Sequence, residues 1–174
     1  SDFAITRLKK TIDGGSTWNS VLEFYVYANP NEWHNFYHIQ TVNPQVTYFT
    51  INYEEIPGNH WSRVYRTSDG GSNWLISRNS DDSLLFTIFH FPSADTGYVA
   101  SLPIPGYGSM TYYLFKYINN TWTTVFRSDT RIRGIYFPTN TTGYILTGSY
   151  NIFKTTNGGA NWYSVNPQTS VILN

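Results

Sequence analysis

The chain has 174 residues, with 11 basic and 11 acidic side chains and no cysteine, so its formal net charge is zero. The missing cysteine excludes disulfides, thiolate metal sites and cysteine nucleophiles. The sparse, balanced charge argues against a nucleic-acid-binding surface, and no apolar stretch approaches membrane-spanning length. The length favours one domain. The abundance of tyrosine, asparagine and threonine is typical of an exported bacterial β-protein, whether periplasmic, cell-surface or secreted.

The first predicted elements are two strands around an eight-residue turn. Residues 3–10 lead into residues 11–18 (TIDGGSTW), named glycine turn 1. Asp13 tolerates left-handed backbone angles and bonds its own backbone two residues on, and the two glycines take positive φ without steric cost. Alternating stretches around such a turn indicate a β-hairpin. Trp18 is large enough to pin this hairpin against a neighbouring sheet.

The same turn recurs in a second unit as glycine turn 2, residues 67–74 (TSDGGSNW). The strands predicted in this unit cover 36–42, 46–53, 62–67 and 73–77. The loops between predicted strands include 23–35, 53–61, 103–109 and 149–150. Rigid, amphipathic side chains in such loops suit the binding of a peptide or a sugar. The candidate ligand-binding residues are Trp33, His34, Tyr53, His60, Trp61 and Tyr107.

The third and fourth units repeat each other. Predicted strands cover 84–91, 98–102, 112–118 and 122–126 in the third unit, and 132–137, 144–147, 151–155 and 161–165 in the fourth. In both units a turn that begins with proline ends in Thr-Gly-Tyr, at 96–98 and at 142–144. The fourth unit contains glycine turn 3, residues 155–162 (TTNGGANW). Here Asn157 stands where the other two turns have aspartate, so the side chain still has a hydrogen-bond acceptor but carries no negative charge. The third unit has a degenerate copy that retains Trp122 without the glycines.

The glycine turns resemble the Asp-box, or BNR, repeat Ser/Thr-x-Asp-x-Gly-x-x-Trp. Their Gly-Gly form is similar to the propeller repeats of the Ycf48/HCF136 class and of other exported bacterial propellers. The resemblance implies an all-β fold, a β-propeller of about four blades with four antiparallel strands each. The tryptophans at 18, 74, 122 and 162 are 56, 48 and 40 residues apart, which fits blades of roughly 40–50 residues with one longer blade. The resemblance also implies that the loops 23–35, 53–61, 103–109 and 149–150 share one face, the loop face. It also implies that the turns lie away from the ligand face. The residues then expected to be structural are Asp13, Gly15, Trp18, Asp69, Gly71, Trp74, Asn157, Gly159 and Trp162.

We predict a single propeller domain over residues 1–174. Its blade units are 1–22 plus 169–174, 34–78, 83–128 and 130–166. The first blade is incomplete, because only its last two strands are visible in the sequence. Two arrangements remain open: a four-bladed ring closed by the C-terminal strand 170–173, and a piece of a larger chain or assembly. An open piece would expose unpaired strand edges, which favours the ring.

No group of residues indicates catalysis, a cofactor or a metal site. His34 and His38 have the spacing of metal ligands only on a helix, and Glu54 and Glu55 would point apart on an extended chain. The Asp-box resemblance also suggests sialidase activity. A sialidase would need three arginines on a six-bladed propeller. Residues 131–133 (RIR) only faintly echo the arginine motif of that family, so we reject this activity.

The sequence therefore predicts a non-enzymatic, exported module that binds or scaffolds another molecule through protein contacts on the loop face. The Ycf48-like resemblance implies help in assembling a membrane complex. Two alternatives remain open. One is a carbohydrate-binding module or lectin that uses the loop aromatics. The other, less favoured, is a glycoside hydrolase fragment that is sialidase-like in fold and has Glu54 or Glu55 in a carboxylate pair. The expected partner is a protein or a glycan, with no nucleic acid and no membrane-spanning segment.

Overall fold

The structure is a computed structural model that describes residues 3–27, 32–55, 58–80, 83–106 and 110–165. Over these residues the chain is all-β, with fourteen strands and no helix. Three sheets have four strands each and one has two. This arrangement confirms the predicted fold class of four-stranded antiparallel sheets, with an incomplete first sheet. The predicted closing strand 170–173 and Tyr107 lie outside the described residues.

The first two sheets contain glycine turns 1 and 2. Sheet 1 is the hairpin of β1 (Phe3–Lys10) and β2 (Asn19–Tyr27). Sheet 2 consists of β3 (Glu32–Thr41), β4 (Thr47–Glu55), β5 (Asn59–Thr67) and β6 (Leu75–Asn79). Each strand pairs with its successor along the chain. Glycine turn 1 therefore joins the two strands of sheet 1, and glycine turn 2 joins the last two strands of sheet 2.

The other two sheets have the same order of strands. Sheet 3 consists of β7 (Leu84–Ser93), β8 (Thr96–Pro103), β9 (Tyr112–Ile118) and β10 (Thr121–Ser128). Sheet 4 consists of β11 (Ile132–Tyr136), β12 (Gly143–Thr147), β13 (Ile152–Thr155) and β14 (Tyr163–Ser164). Glycine turn 3 joins β13 to β14. Between β9 and β10, Asn119 and Asn120 have φ of 44° and 66°, so two asparagines supply the left-handed backbone that glycine supplies elsewhere.

The chain divides into two compact units. Unit 1 comprises Ser1–Thr87 with Leu102–Met110, and unit 2 comprises Ile88–Ser101 with Thr111–Asn174. Sheets 1 and 2 belong to unit 1, and sheet 4 belongs to unit 2. The prediction of a single domain over residues 1–174 stays a prediction.

The glycine turns are held by one repeated set of hydrogen bonds. In glycine turn 2, Thr67 Oγ1 donates to Asp69 Oδ1 over 2.8 Å and accepts the Gly71 N–H over 2.9 Å. Asp69 Oδ1 also accepts the Asn73 N–H over 2.9 Å. Glycine turns 1 and 3 form the same bonds from their own threonine and their own Asp or Asn. In all three turns the threonine hydroxyl and the Asp or Asn side chain are therefore engaged in hydrogen bonds within the turn, and the structural role predicted for them stays a prediction.

The aspartates of glycine turns 1 and 2 make those turns sensitive to acid. Hydrogen bonds from Thr17 lower the pKa of Asp13 to about 2, and those from Asn73 lower the pKa of Asp69 to about 2. A lowered pKa in the folded state means that each carboxylate stabilises its turn above the ordinary pKa of 3.8. This contribution is lost as the pH falls towards 2. Glycine turn 3 has Asn157 at this position and does not titrate.

We therefore expect a difference between turns in a pH titration followed by NMR. The amide shifts of Thr17 and Asn73 should titrate with midpoints near pH 2, because each amide donates to the titrating carboxylate. The amide of Asn161, which donates to Asn157, serves as the internal control and should show no such step. Midpoints at the ordinary carboxyl pKa of 3.8 would contradict this assignment.

The repeated Thr-Gly-Tyr segment places a glycine beneath an aromatic ring. A side-chain carbon at Gly97 would overlap the ring of Phe91, and one at Gly143 would overlap the ring of Phe137. Both phenylalanines are buried. The Phe137 ring also stacks on Tyr98, with 3.5 Å between centroids and 7° between planes. Glycine is therefore needed at 97 and 143 for close packing rather than for an unusual φ.

Unit 1 packs its two sheets through aromatic side chains. Phe24 of sheet 1 contacts Phe36, Phe49 and Tyr65 of sheet 2 edge-on, with centroids 5.5, 6.2 and 5.7 Å apart. Edge-on contacts of this kind are favourable for aromatic pairs. Sheet 1 therefore covers one face of sheet 2, hereafter the inner face, which carries these three rings.

Unit 2 has a separate buried cluster, which draws on sheets 3 and 4. Its buried members are Tyr98, Ala100, Leu114, Ile132, Phe137 and Ile145. Trp162 of glycine turn 3 packs against this cluster, and its indole N–H donates to the Val125 carbonyl over 3.0 Å. Trp162 thus holds its hairpin against the neighbouring sheet. Trp18, for which the sequence predicts the same contact, is instead 55% exposed, and its indole N–H donates to the Gly15 carbonyl of its own turn.

Candidate functional site

The candidate binding residues of sheet 2 lie on strands, and their predicted place in loops was wrong. His34 lies on β3, Tyr53 on β4, and both His60 and Trp61 on β5. The polar residues around 54–60 resemble a loop by composition. In the structure they continue the pairing of β4 with β5 as far as Glu55 and Asn59.

Two further candidates cannot be placed as side chains. Trp33 lies on β3, but its side chain is outside the described part of the structure, and so is the whole of Tyr107. Residues 23–27 and 32–35, which the sequence predicts as loop, belong to β2 and β3. The ligand-binding role of all six candidates stays a prediction.

Three of the candidates form an aromatic row across sheet 2, defined as His34, Tyr53 and Trp61. Their register makes them cross-strand neighbours on the inner face. The His34 and Tyr53 ring centroids are 4.8 Å apart, and Tyr53 stacks on Trp61 with 5.2 Å between centroids and 14° between planes. The Arg63 guanidinium carbon lies 4.1 Å from the Trp61 centroid. The row is therefore a half-buried aromatic surface with a cation at one end.

The two other histidines of this region do not join the row. His60 pairs in register with Glu54, and neighbouring residues of a strand point to opposite faces, so His60 lies on the outer face. A β-bulge interrupts β3 between Phe36 and His38. The extra residue places His38 on the face opposite to His34. Among the described residues no group of three or more His, Asp or Glu side chains could hold a metal ion.

A groove lies beside β1 and β3, between sheet 1 and the inner face of sheet 2. One part has a volume of ≈ 590 Å³ and is lined by Arg7, Leu8, Phe36, Tyr37, His38, Ile39 and Phe49. An adjoining part of ≈ 480 Å³ shares Leu8 and Ile39 with the first and runs towards glycine turns 1 and 2.

The second part of the groove contains an indole donor without an acceptor. Trp74 Nε1 is buried and has no hydrogen-bond partner among the described residues, whereas Trp162 Nε1 at the equivalent position of sheet 4 is satisfied. A buried unpaired donor costs about 1–3 kcal/mol. A ligand carbonyl that enters the groove could remove that cost. In the first part of the groove, the Arg7 side chain forms a salt bridge with Glu23, with 2.8 Å between Nε and Oε1.

The sequence analysis missed this groove. The sequence carried a signal for it on β3, where Phe36, Tyr37 and Ile39 do not alternate with polar residues. In the structure all three side chains are exposed. An edge strand with apolar residues on both faces is unusual unless something covers it. The sequence indicated that sheet 1 would have only two visible strands, but it did not show that a groove would form beside β1.

Comparison with solved structures places this architecture among β-propellers. A structure of Ycf48 bound to a D1 peptide matches with a TM-score of 0.53 and 14% identity, over 78% of this chain and 44% of that one. The GH74 enzyme of Niastella koreensis matches with a TM-score of 0.63 and 20% identity, over 93% of this chain and 27% of that one. The resemblance to propeller repeats, expected from the glycine turns, is thus confirmed at the level of the fold.

This chain spans less than half of the length of either neighbour. One neighbour is a peptide complex and the other is an enzyme, so the two share a fold and differ in function. No protein-family model and no curated protein sequence matches the chain. In the described parts of the chain there is no helix long and apolar enough to cross a membrane.

Proposed function

We propose that this chain is an exported, non-enzymatic binding module that holds an extended segment of a partner protein in the groove beside β1. The observation that carries the proposal is that β1, whose second edge pairs with no described strand, also lines the apolar groove. An extended peptide that adds to a free edge gains main-chain hydrogen bonds, and pockets for alternate side chains give it specificity. Leu8, Ile39 and Phe36 would line such pockets.

The preferred ligand chemistry is a segment of alternating apolar residues. Its side chains would enter the groove at every second position, and one of its carbonyls could accept from Trp74 Nε1, which has no acceptor among the described residues. The aromatic row continues the inner face beyond Phe36 on the same strand. It would contact residues of the segment outside the groove, as rigid aromatic side chains do at protein interfaces.

The geometry of the row supports a peptide over a sugar. Sugar rings stack on open aromatic faces, whereas Arg63 lies over the Trp61 ring and Tyr53 stacks on it. The row therefore offers less free indole face than an isolated tryptophan would. The carbohydrate-binding alternative stays a prediction that the experiment below addresses.

The non-enzymatic part of the proposal stays a prediction. General acid–base or nucleophilic chemistry requires titratable groups that converge on one point. Of the acidic candidates, Glu54 faces His60 across the strand pair on the outer face, away from the row. The glycoside hydrolase alternative likewise stays a prediction.

The test is selection of binders from a random peptide library on the wild-type chain, followed by affinity measurement on variants. Ile39→Asp places a charge in the groove, and we expect it to weaken a selected peptide by about tenfold or more. The matched control is Ile118→Asp, because Ile118 is a comparably exposed strand isoleucine in unit 2, at 42% against 53% for Ile39. The control should bind like the wild type.

Two results would contradict the proposal. One is a selected peptide whose affinity is the same for Ile39→Asp and for the wild type. The other is failure to select any peptide, together with binding on a glycan panel that Trp61→Ala abolishes. The second result would instead support the carbohydrate-binding alternative and locate its site on the aromatic row.

A further inference from the structure

The chain contains one asparagine that is directly followed by glycine, Asn157 of glycine turn 3. Asparagine is one of the thermally labile residues. In an Asn-Gly pair the main-chain nitrogen of the glycine can attack the side-chain carbonyl carbon of the asparagine, because glycine has no side chain to hinder the approach. The sequence therefore has one position at which spontaneous deamidation is chemically most favoured.

Deamidation of this pair needs no reagent other than water. First, the Gly158 nitrogen bonds to Asn157 Cγ, and its proton leaves with the side-chain NH₂ group as ammonia, so that a cyclic imide remains. Water then opens the imide. Cleavage of the new bond gives aspartate, whereas cleavage of the original peptide bond gives isoaspartate, whose main chain is one carbon longer. The change is irreversible once the ammonia has left.

The folded turn holds the attacking nitrogen in a hydrogen bond that the first step must break. Gly158 is buried, and its N–H donates to the Thr141 carbonyl over 2.7 Å. The nitrogen of the cyclic imide carries no hydrogen, so it cannot keep this bond. Lys116 of sheet 3 holds the same glycine by donating to its carbonyl over 2.6 Å. The nitrogen therefore becomes available when glycine turn 3 opens and leaves its place beside Thr141.

The asparagine side chain adds to the stability of the closed turn. Asn157 Oδ1 accepts the Thr155 hydroxyl over 3.0 Å and the Asn161 N–H over 2.9 Å. Thr155 is fully buried, and its hydroxyl also accepts the Gly159 N–H over 2.9 Å. Local opening of the turn breaks these bonds together, so the removal of one of them increases the fraction of time that the turn is open.

One of the two products fits the turn. Asp13 and Asp69 occupy the equivalent position in glycine turns 1 and 2, and their carboxylates accept the same hydrogen bonds there as Asn157 does in glycine turn 3. Isoaspartate would instead insert a carbon between Thr155 and Gly159, whose hydrogen bond spans position 157. Aspartate can therefore return to the closed turn, and isoaspartate cannot close it in the same way.

We propose that Asn157 is a site of spontaneous deamidation that is controlled by the opening of glycine turn 3. The closed turn preserves the asparagine, each opening exposes the Asn-Gly pair to reaction, and the aspartate product closes into the same turn. Because the reaction is irreversible, the fraction of converted chains records how long the turn has been open. The site is independent of the groove beside β1, since all of its residues belong to unit 2.

The measurement is peptide mapping by mass spectrometry of the full chain during incubation at mildly alkaline pH. We expect Asn157 to deamidate at least about tenfold more slowly in the native chain than in guanidinium chloride. Under native conditions, Thr155→Val and Lys116→Met should each accelerate the reaction by roughly tenfold, since each removes a hydrogen bond of the closed turn. The control is Thr67→Val, which removes the equivalent bond from glycine turn 2 of unit 1 and should leave the rate at Asn157 unchanged.

A fourth variant, Asn157→Asp, tests the product. It should unfold at a guanidinium chloride concentration no lower than that of the wild type, because a carboxylate accepts hydrogen bonds more strongly than an amide does. Three results would overturn the proposal: a native chain that deamidates as fast as the unfolded one, a rate that Thr67→Val raises as much as Thr155→Val and Lys116→Met do, or a destabilised Asn157→Asp.

Discussion

Gly143→Ala should destabilise the protein by roughly 3 kcal/mol, the upper end of the usual cost of overpacking a core. The added methyl group would overlap the ring of Phe137. That ring cannot move aside easily, because it stacks on Tyr98 and lies edge-on to Trp162 at 6.1 Å. The strain would therefore fall on the buried cluster of unit 2. Urea unfolding of the variant and the wild type measures the difference.

The control lies in the same sheet. A side-chain carbon at Gly134 would meet only the Leu146 Cβ, at 3.4 Å. Gly134→Ala should therefore stay within about 1 kcal/mol of the wild type, since alanine also loses less backbone entropy on folding than glycine does. Equal unfolding free energies for Gly143→Ala and Gly134→Ala would show that close packing of Phe137 on Gly143 is not the cause of the predicted destabilisation.

Thr155→Val should cost about 2 kcal/mol, because it leaves a buried N–H without an acceptor. Valine has the shape of threonine but no hydroxyl. Thr155 is fully buried, and its Oγ1 accepts the N–H of the buried Gly159 over 2.9 Å. Thr67→Val, which removes the bond to Gly71, should behave alike. Thermal or urea unfolding of each variant checks the prediction.

Glycine turn 1 supplies the matched control for both threonines. Thr11 Oγ1 accepts the Gly15 N–H over 2.8 Å with the same geometry, but this bond is exposed to water. In Thr11→Val water can replace the lost hydroxyl, so the variant should lose well under about 1 kcal/mol. If Thr11→Val were as destabilising as Thr155→Val, burial of the turn by the neighbouring sheet would not be the reason for the effect.

The sequence was sufficient for the parts of the fold that depend on local geometry. Asp-Gly-Gly and Asn-Gly-Gly require left-handed backbone, and the structure has positive φ at all six of these glycines. The repeat of Thr-Gly-Tyr was also visible, but its cause was not. Gly97 and Gly143 are needed because the rings of Phe91 and Phe137 lie on them, which is a contact that only the folded chain reveals.

The candidate site was less predictable. It depends on the register between strands and on an edge of β1 that pairs with no described strand. The aromatic row exists because Tyr53 pairs with both His34 and Trp61, and no local pattern specifies that register. The bulge before His38 reverses the face of every residue that follows it on β3. The groove is lined by β3 of sheet 2 and by β1, which pairs only with β2 among the described strands.

The most direct test of the binding proposal is amide hydrogen exchange along β1, with and without a selected peptide. Half of the N–H groups of Phe3–Lys10 point away from β2, because neighbouring residues of a strand donate in opposite directions. If the peptide adds as a strand to this edge, those alternate amides become protected when it binds, and the pattern is absent in Ile39→Asp. A peptide that binds without slowing the exchange of any β1 amide would contradict the proposal.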